Sequence, residues 1–179
     1  MTASVNELPA MIPPSPWVEA HVRHLPAGRT VLDLACGSGR HSRFLAAAGW
    51  PVLAVDRDVE ALQGLQGIAG ITTACLDLEG DTWPLHGRQF AGIVVTNYLW
   101  RPFLPALLAM LEPDGVLIYE TFMDGNAAYG KPSNPDFLLR AGELRAIAAA
   151  AGLRELDFVE GYVERPKPAM RQAICAIRA

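Results

Sequence analysis

Four short runs in this chain, at 30–34, 51–55, 90–96 and 116–121, are almost wholly apolar and carry no alternation of polar residues. A strand built that way has no face to give to water, so it must be covered on both sides. Between the runs lie segments of helical periodicity, at 40–48, 59–65 and 102–111, closed by Gly49, Gly67 and the Glu112-Pro113-Asp114-Gly115 turn. Apolar strands separated by helices predict a parallel sheet with helices on both faces. A weaker run at 72–76 supplies a fifth parallel strand. A helix at 142–151, ended by Gly152, precedes two last strands at 154–161 and 170–177. Their short, proline-containing connection has no room for a helix, which permits only antiparallel pairing.

The first residues form a proline-rich arm, 1–15, with Pro9, Pro13 and Pro14. Ser15-Pro16 then opens a helix, Ser15 as N-cap and Pro16 in the first helical position. Residues 16–179 read as one domain without repeats. With 51% hydrophobic and 19% charged residues the composition is that of a globular protein. The net charge of −4 gives no basic footprint for nucleic acid, so none is expected as a partner. No apolar stretch is long enough to span a bilayer. Cys36, Cys75 and Cys175 are odd in number and widely spaced, and the start lacks a signal-peptide pattern. Cytoplasmic location without a metal site is the expectation.

Chemistry concentrates where strands end. The first strand runs into Asp33-Leu34-Ala35-Cys36-Gly37-Ser38-Gly39-Arg40, directly ahead of a helix. Gly37 and Gly39 let backbone approach a ligand, and the helix start offers unpaired N–H groups. Asp33 would repel a pyrophosphate but welcome an ammonium group. Asp56 ends the second strand about twenty residues later, where a ribose diol can be held, with Arg57 beside it. Asp77 ends the third and could accept from an adenine amino group, with Leu78 as apolar cover. Asn97 and Tyr98 end the fourth, at the switch region where open α/β sheets bind ligands. His41 follows the glycine loop closely enough to contribute. His21, His24 and His86 read as isolated histidines, and Cys36 as a small buried residue.

Together these motifs resemble the class I S-adenosylmethionine (SAM)-dependent methyltransferases over about residues 15–179. The glycine loop is similar to that family's first motif, Asp56 to its ribose-binding acid and Asp77 to its adenine-contacting acid. The resemblance implies a Rossmann-like, seven-stranded sheet of order 3-2-1-4-5-7-6 with strand 7 antiparallel. It implies SAM as cofactor and Asp33, Ala35, Cys36, Gly37, Gly39, Asp56, Arg57, Asp77, Leu78, Asn97 and Tyr98 as its contacts. Asn97-Tyr98-Leu99-Trp100-Arg101-Pro102, Tyr119-Glu120-Thr121-Phe122 and Pro132-Ser133-Asn134-Pro135 resemble a bacterial subgroup grouped with tellurite-resistance methyltransferases. Phe90 is followed by Ala91 rather than the acid usual in the family. The motif of amino-methylating enzymes is absent after Asn97, which argues against DNA adenine or protein glutamine.

The segment 123–137 is rich in Gly, Asn and Pro and reads as a lid or acceptor loop, hinged at Gly125 and Gly130. Arg101, Glu120, Asn126 and Tyr129, with Lys131, are the expected acceptor contacts. The acceptor is expected to be a small molecule, and no residue stands out as a general base. Two rivals remain. Gly37-Ser38-Gly39-Arg40-His41-Ser42 nearly satisfies a dinucleotide fingerprint, which would suit a NAD-dependent oxidoreductase; Asp33 and the terminal hairpin speak against it. A non-catalytic SAM-binding module is the other.

Overall fold

The structure, a computed structural model, describes residues 12–179. Most of the expected arm, residues 1–11, lies outside them. Ser15 caps α1 (Pro16–His21): its hydroxyl accepts from the Trp17 N–H, and Pro16 starts the helix as expected. The order then runs β1 (Val31–Leu34), α2 (Arg40–Ala47), β2 (Val52–Asp56), α3 (Val59–Gln63), β3 (Ile71–Cys75), β4 (Phe90–Thr96), α4 (Leu104–Ala109), β5 (Leu111–Phe122), α5 (Glu143–Ala150), β6 (Leu153–Val163) and β7 (Ala169–Arg178). The seven strands form one sheet of order β3-β2-β1-β4-β5-β7-β6. Pairings are parallel from β3 through β5, while β7 runs antiparallel to both neighbours.

Side chains on a strand alternate between faces. Leu32 and Leu34 accordingly join Val55, Ile93, Leu107 and Leu144 on the face covered by α4 and α5. Val31 joins Val52, Val94, Ile118, Val18 and Leu45 on the face covered by α1 and α2. The same alternation sends Asp33 toward α2. Its side chain is therefore a buried polar group inside the layer, and Ser42 on α2 meets it.

Two boundaries differ from the sequence reading. The fourth expected helix begins as a 3-10 turn at Arg101–Phe103 and ends at Ala109. Leu111 is taken into the sheet opposite Phe90, whose N–H donates to the Met110 carbonyl. The Glu112-Pro113-Asp114-Gly115 turn becomes an irregularity within β5, with Asp114 at φ 62°. The ladder claims the chain five residues earlier than apolarity suggests.

Candidate functional site

The chain runs outward from β1 to β3 on one side and from β4 to β5 on the other, which leaves a crevice beyond the tips of β1 and β4. Both tips turn through the left-handed region on residues other than glycine: Ala35 at φ 52° and Asn97 at φ 56°. Such strain persists where the surroundings fix it, and it gathers at ligand sites. A cavity of about 190 Å³ opens here, lined by Ala35, Asp56, Arg57, Leu76, Leu78, Glu79 and Tyr98. Five of these were expected from sequence. Leu76 and Glu79 were missed, although both flank Asp77 and could have been found by extending the third tip in either direction.

Asp56 organises this end of the sheet. One carboxylate oxygen accepts from the Gly37 N–H at 2.8 Å and the other from the Asp58 N–H at 3.0 Å, so it joins the β1 and β2 loops. An ionised carboxylate has about four acceptor sites, which leaves two for a diol. Asp77 accepts from the Glu79 N–H at 2.9 Å and stands at the rim rather than in the lining. Burial pushes the Tyr98 hydroxyl pKa up, with Glu79 and Asp77 adding to it, so Tyr98 stays a neutral phenol. Gly37 has open space where a side chain would stand. The Cys36 N–H donates to the Val55 carbonyl, and burial raises the thiol, which fits a packing residue. A flat base over Leu76 and Leu78 and a diol at Asp56 would suit this cavity.

Asp33 does not reach the crevice. It is 1% exposed and accepts from Ser42 Oγ at 2.6 Å; burial lifts its carboxyl pKa to about 6 despite that bond. Its expected place beside an ammonium group is thus corrected: strand alternation turns the side chain under α2. Nearby, His41 Nε2 accepts from the Ser15 N–H at 3.0 Å, so the ring proton sits on Nδ1, which faces Thr96 Oγ1 at 3.4 Å. Burial first, then Arg40, hold the His41 pKa down to about 3.

These two groups give opposed pH dependences. The unfolded chain protonates His41 below about pH 6.5 while the folded chain does not, so stability falls on acidification. Asp33 binds its proton in the folded state first, between about 6 and its ordinary value near 3.8, so stability there rises as pH falls. Each contributes roughly 1–2 kcal/mol between about pH 7 and 5. Urea titrations at the two pH values should show His41→Gln gaining stability relative to wild type on acidification and Asp33→Asn losing it. Parallel pH profiles for all three proteins would contradict the assignment.

A second opening adjoins the crevice past Asn97. It is a groove of about 700 Å³ between the 12–17 segment and the β5–β7–β6 surface, with Trp17, Arg40, Glu120, Tyr162 and Arg171 among its lining. Glu120, expected here, is present and buried. Tyr129 is half exposed and packs tilted against Tyr162 with ring centres 5.2 Å apart, beside a residue of the groove wall.

Two expected acceptor contacts are committed elsewhere. Arg101 forms a fork with Glu143 at 2.6 and 2.8 Å and donates to the Asp136 and Leu138 carbonyls at 2.7 Å each. Asn126, 2% exposed, donates to the Pro132 carbonyl and accepts from the Met170 N–H. Both pin the 123–137 segment, whose Met123 also bridges to Leu139. The expected lid is therefore a tethered connection, because its polar residues bond inward.

Residues 31–115 match a family model described as a methyltransferase domain. Over 115 residues the chain is 30% identical to YqeM of Bacillus subtilis, which is assigned to the methyltransferases, covering 58% of this chain and 45% of YqeM. The chain spans less than half the length of that curated relative. Among solved structures, TehB from Haemophilus influenzae aligns with a TM-score of 0.72 at 20% identity, over 91% of this chain and 61% of TehB. The magnesium protoporphyrin IX methyltransferase of Synechocystis, solved with bound S-adenosylhomocysteine (SAH), aligns with a TM-score of 0.65 at 17% identity, over 91% of this chain and 78% of that one. Strand order, reversed last strand and glycine-loop crevice define a Rossmann-like methyltransferase fold. Residues 31–115 thus carry a methyltransferase-domain signature, on a fold shared with solved SAM-dependent methyltransferases.

No group of three or more His, Cys, Asp or Glu side chains among the described residues is placed to hold a metal. No described helix is long and apolar enough to cross a membrane.

Proposed function

We propose that this protein transfers the methyl group of SAM to a small-molecule acceptor, with residues 16–179 as the catalytic domain and the cytoplasm as its place of work. The observation that carries this reading is the crevice itself: Asp56 with two acceptor sites left, beside an apolar slot, at the switch point of the sheet. SAM brings a methyl group already activated on a sulfonium. The protein's part is to hold donor and acceptor in line and keep water away. Asp56 would take the ribose, Leu76 and Leu78 the base, Tyr98 and Arg57 the cavity walls, and the Gly37–Gly39 loop the amino-acid end. Asp77 and Glu79 would frame the adenine edge.

Glu120 and the groove past Asn97 would receive the acceptor. The loop likenesses and the TehB match favour a closer relation to the tellurite-resistance subgroup, as a reading of fold and loops alone. Calorimetry with SAM, SAH and NAD tests the donor. Saturable binding of the first two and none of NAD is expected. A protein that takes NAD and refuses SAH would make the oxidoreductase reading the better one.

A further inference from the structure

Two arginines on this end of the sheet are partly buried, and they are used very differently. Arg101 spends four of its five N–H donors on close protein contacts. Arg171, on β7, has a side chain only 17% exposed. Its guanidinium lies 4.4 Å over the Phe122 ring, a contact that leaves its in-plane N–H groups free to bond. One nitrogen donates to Asn97 Oδ1, and another reaches a single Glu120 oxygen at 3.4 Å. A guanidinium offers five N–H donors in a planar fork that matches a carboxylate. Two bonds, one of them long and neither forked, leave three of the five donors without a partner among the described residues, on a side chain that lines the groove.

The surroundings sharpen what would fill it. Arg40 lines the same groove, and burial first, then Arg40, lower the Arg171 pKa against the pull of Glu120. Of the groove's other acids, Glu160 is turned to the Gly142 N–H at 2.8 Å, while Glu19 is offset in the lining by Arg165. Much of the remaining wall is apolar: Pro14, Trp17, Val159, Tyr162 and Val163. A buried, under-coordinated guanidinium at the end of an apolar groove suits an anionic head on an apolar body.

We infer that Arg171 is the acceptor-recognition residue and that the acceptor is an organic carboxylate, its head on Arg171 and its body along the Trp17–Tyr162 wall. Calling the ligand an acceptor rests on the methyltransferase reading; the carboxylate site does not. The Asn97 side-chain oxygen, at the left-handed tip of β4, accepts from the guanidinium and helps to fix it.

The test uses the full chain, with phenylacetate as probe, phenylacetamide as its neutral isostere and inorganic phosphate as the bare anion, each titrated with and without saturating SAH. Phenylacetate is expected to bind in both conditions, and the amide and phosphate about tenfold or more weakly. Arg171→Gln should lose about tenfold or more of phenylacetate affinity and Arg171→Lys less, while SAH affinity stays within about twofold in both. Tyr162→Ala, at an exposed wall position that the fold tolerates, should weaken phenylacetate as well. Equal binding of the amide, equal binding of phosphate, unchanged affinity in Arg171→Gln, or displacement of phenylacetate by SAH would each overturn the inference. Failure of SAH to bind, with phenylacetate still bound through Arg171, would instead overturn the methyltransferase reading.

Discussion

Replacing Asp56 with alanine will weaken SAM binding by about 1.5–3 kcal/mol, roughly ten- to a hundredfold or somewhat more in Kd, the range for hydrogen bonds to a charged group. The loss has two sources. The carboxylate would hold the ribose hydroxyls, and it already accepts the Gly37 and Asp58 N–H groups that shape the neighbouring loops. Each of those bonds has the same ionised acceptor and falls in the same range of about 1.5–3 kcal/mol, so thermal stability should fall as well. Asp56→Asn separates the two effects. Its remaining carbonyl can serve one loop N–H, but its amide presents donors to the other. The asparagine variant should therefore lose donor affinity nearly as far as alanine does while keeping more of the fold. Calorimetry against SAM and SAH, with circular dichroism for the fold, reads both. If folded Asp56→Ala binds within about twofold of wild type, the second strand tip is not the ribose site.

The glycine loop supplies the largest expected effect on stability. Gly39 caps α2 at φ 75°, and a Cβ there would stand inside van der Waals contact of the Leu65 side chain, with its γ carbon at 2.9 Å. Leu65 is fully buried against Cys36, Ala54 and Leu62 and cannot step aside. The left-handed backbone costs an L-residue roughly 1–2 kcal/mol, and overpacking adds about 1–3. Gly39→Val should thus lose roughly 2–5 kcal/mol from a total of about 5–15 for a domain of ordinary stability. Gly37→Ala has the same backbone problem, at φ 54°, with open space around the new methyl. It should stay folded and lose donor affinity instead. Urea unfolding and SAH titration of the pair distinguish the roles; matched losses in both measurements would mean the two glycines do one job.

Much of this was legible in the sequence because it follows from local rules. The Ser15–Pro16 helix start, the apolar central strands and the reversed last strand need only capping, burial and connection length. The crevice beyond β1 and β4 was legible too, since five of its seven lining residues stand at strand tips that carry their own chemistry. What escaped depends on direction. Asp33 was placed by its position along β1, but alternation decides which way it points, and it points under α2. Arg101 and Asn126 looked like free polar residues in a loop; their partners, Glu143 and the Met170 N–H, are 42 and 44 residues away. Arg171 carries no such signal in the sequence, because it opens a strand rather than closing one.

That reversal reaches beyond this one arginine. A strand that runs against its neighbours delivers its first residues where they deliver their last, so β7 brings Arg171 to the Asn97 tip. The crevice proposed for the donor is built from residues 35–98, inside the stretch that matches the family model, whereas the sheet side of the groove proposed for the acceptor comes from residues 120–173, beyond it. The two openings are thereby built by separate stretches of chain, so a substitution in the last three strands can reshape the groove without touching a residue that lines the crevice.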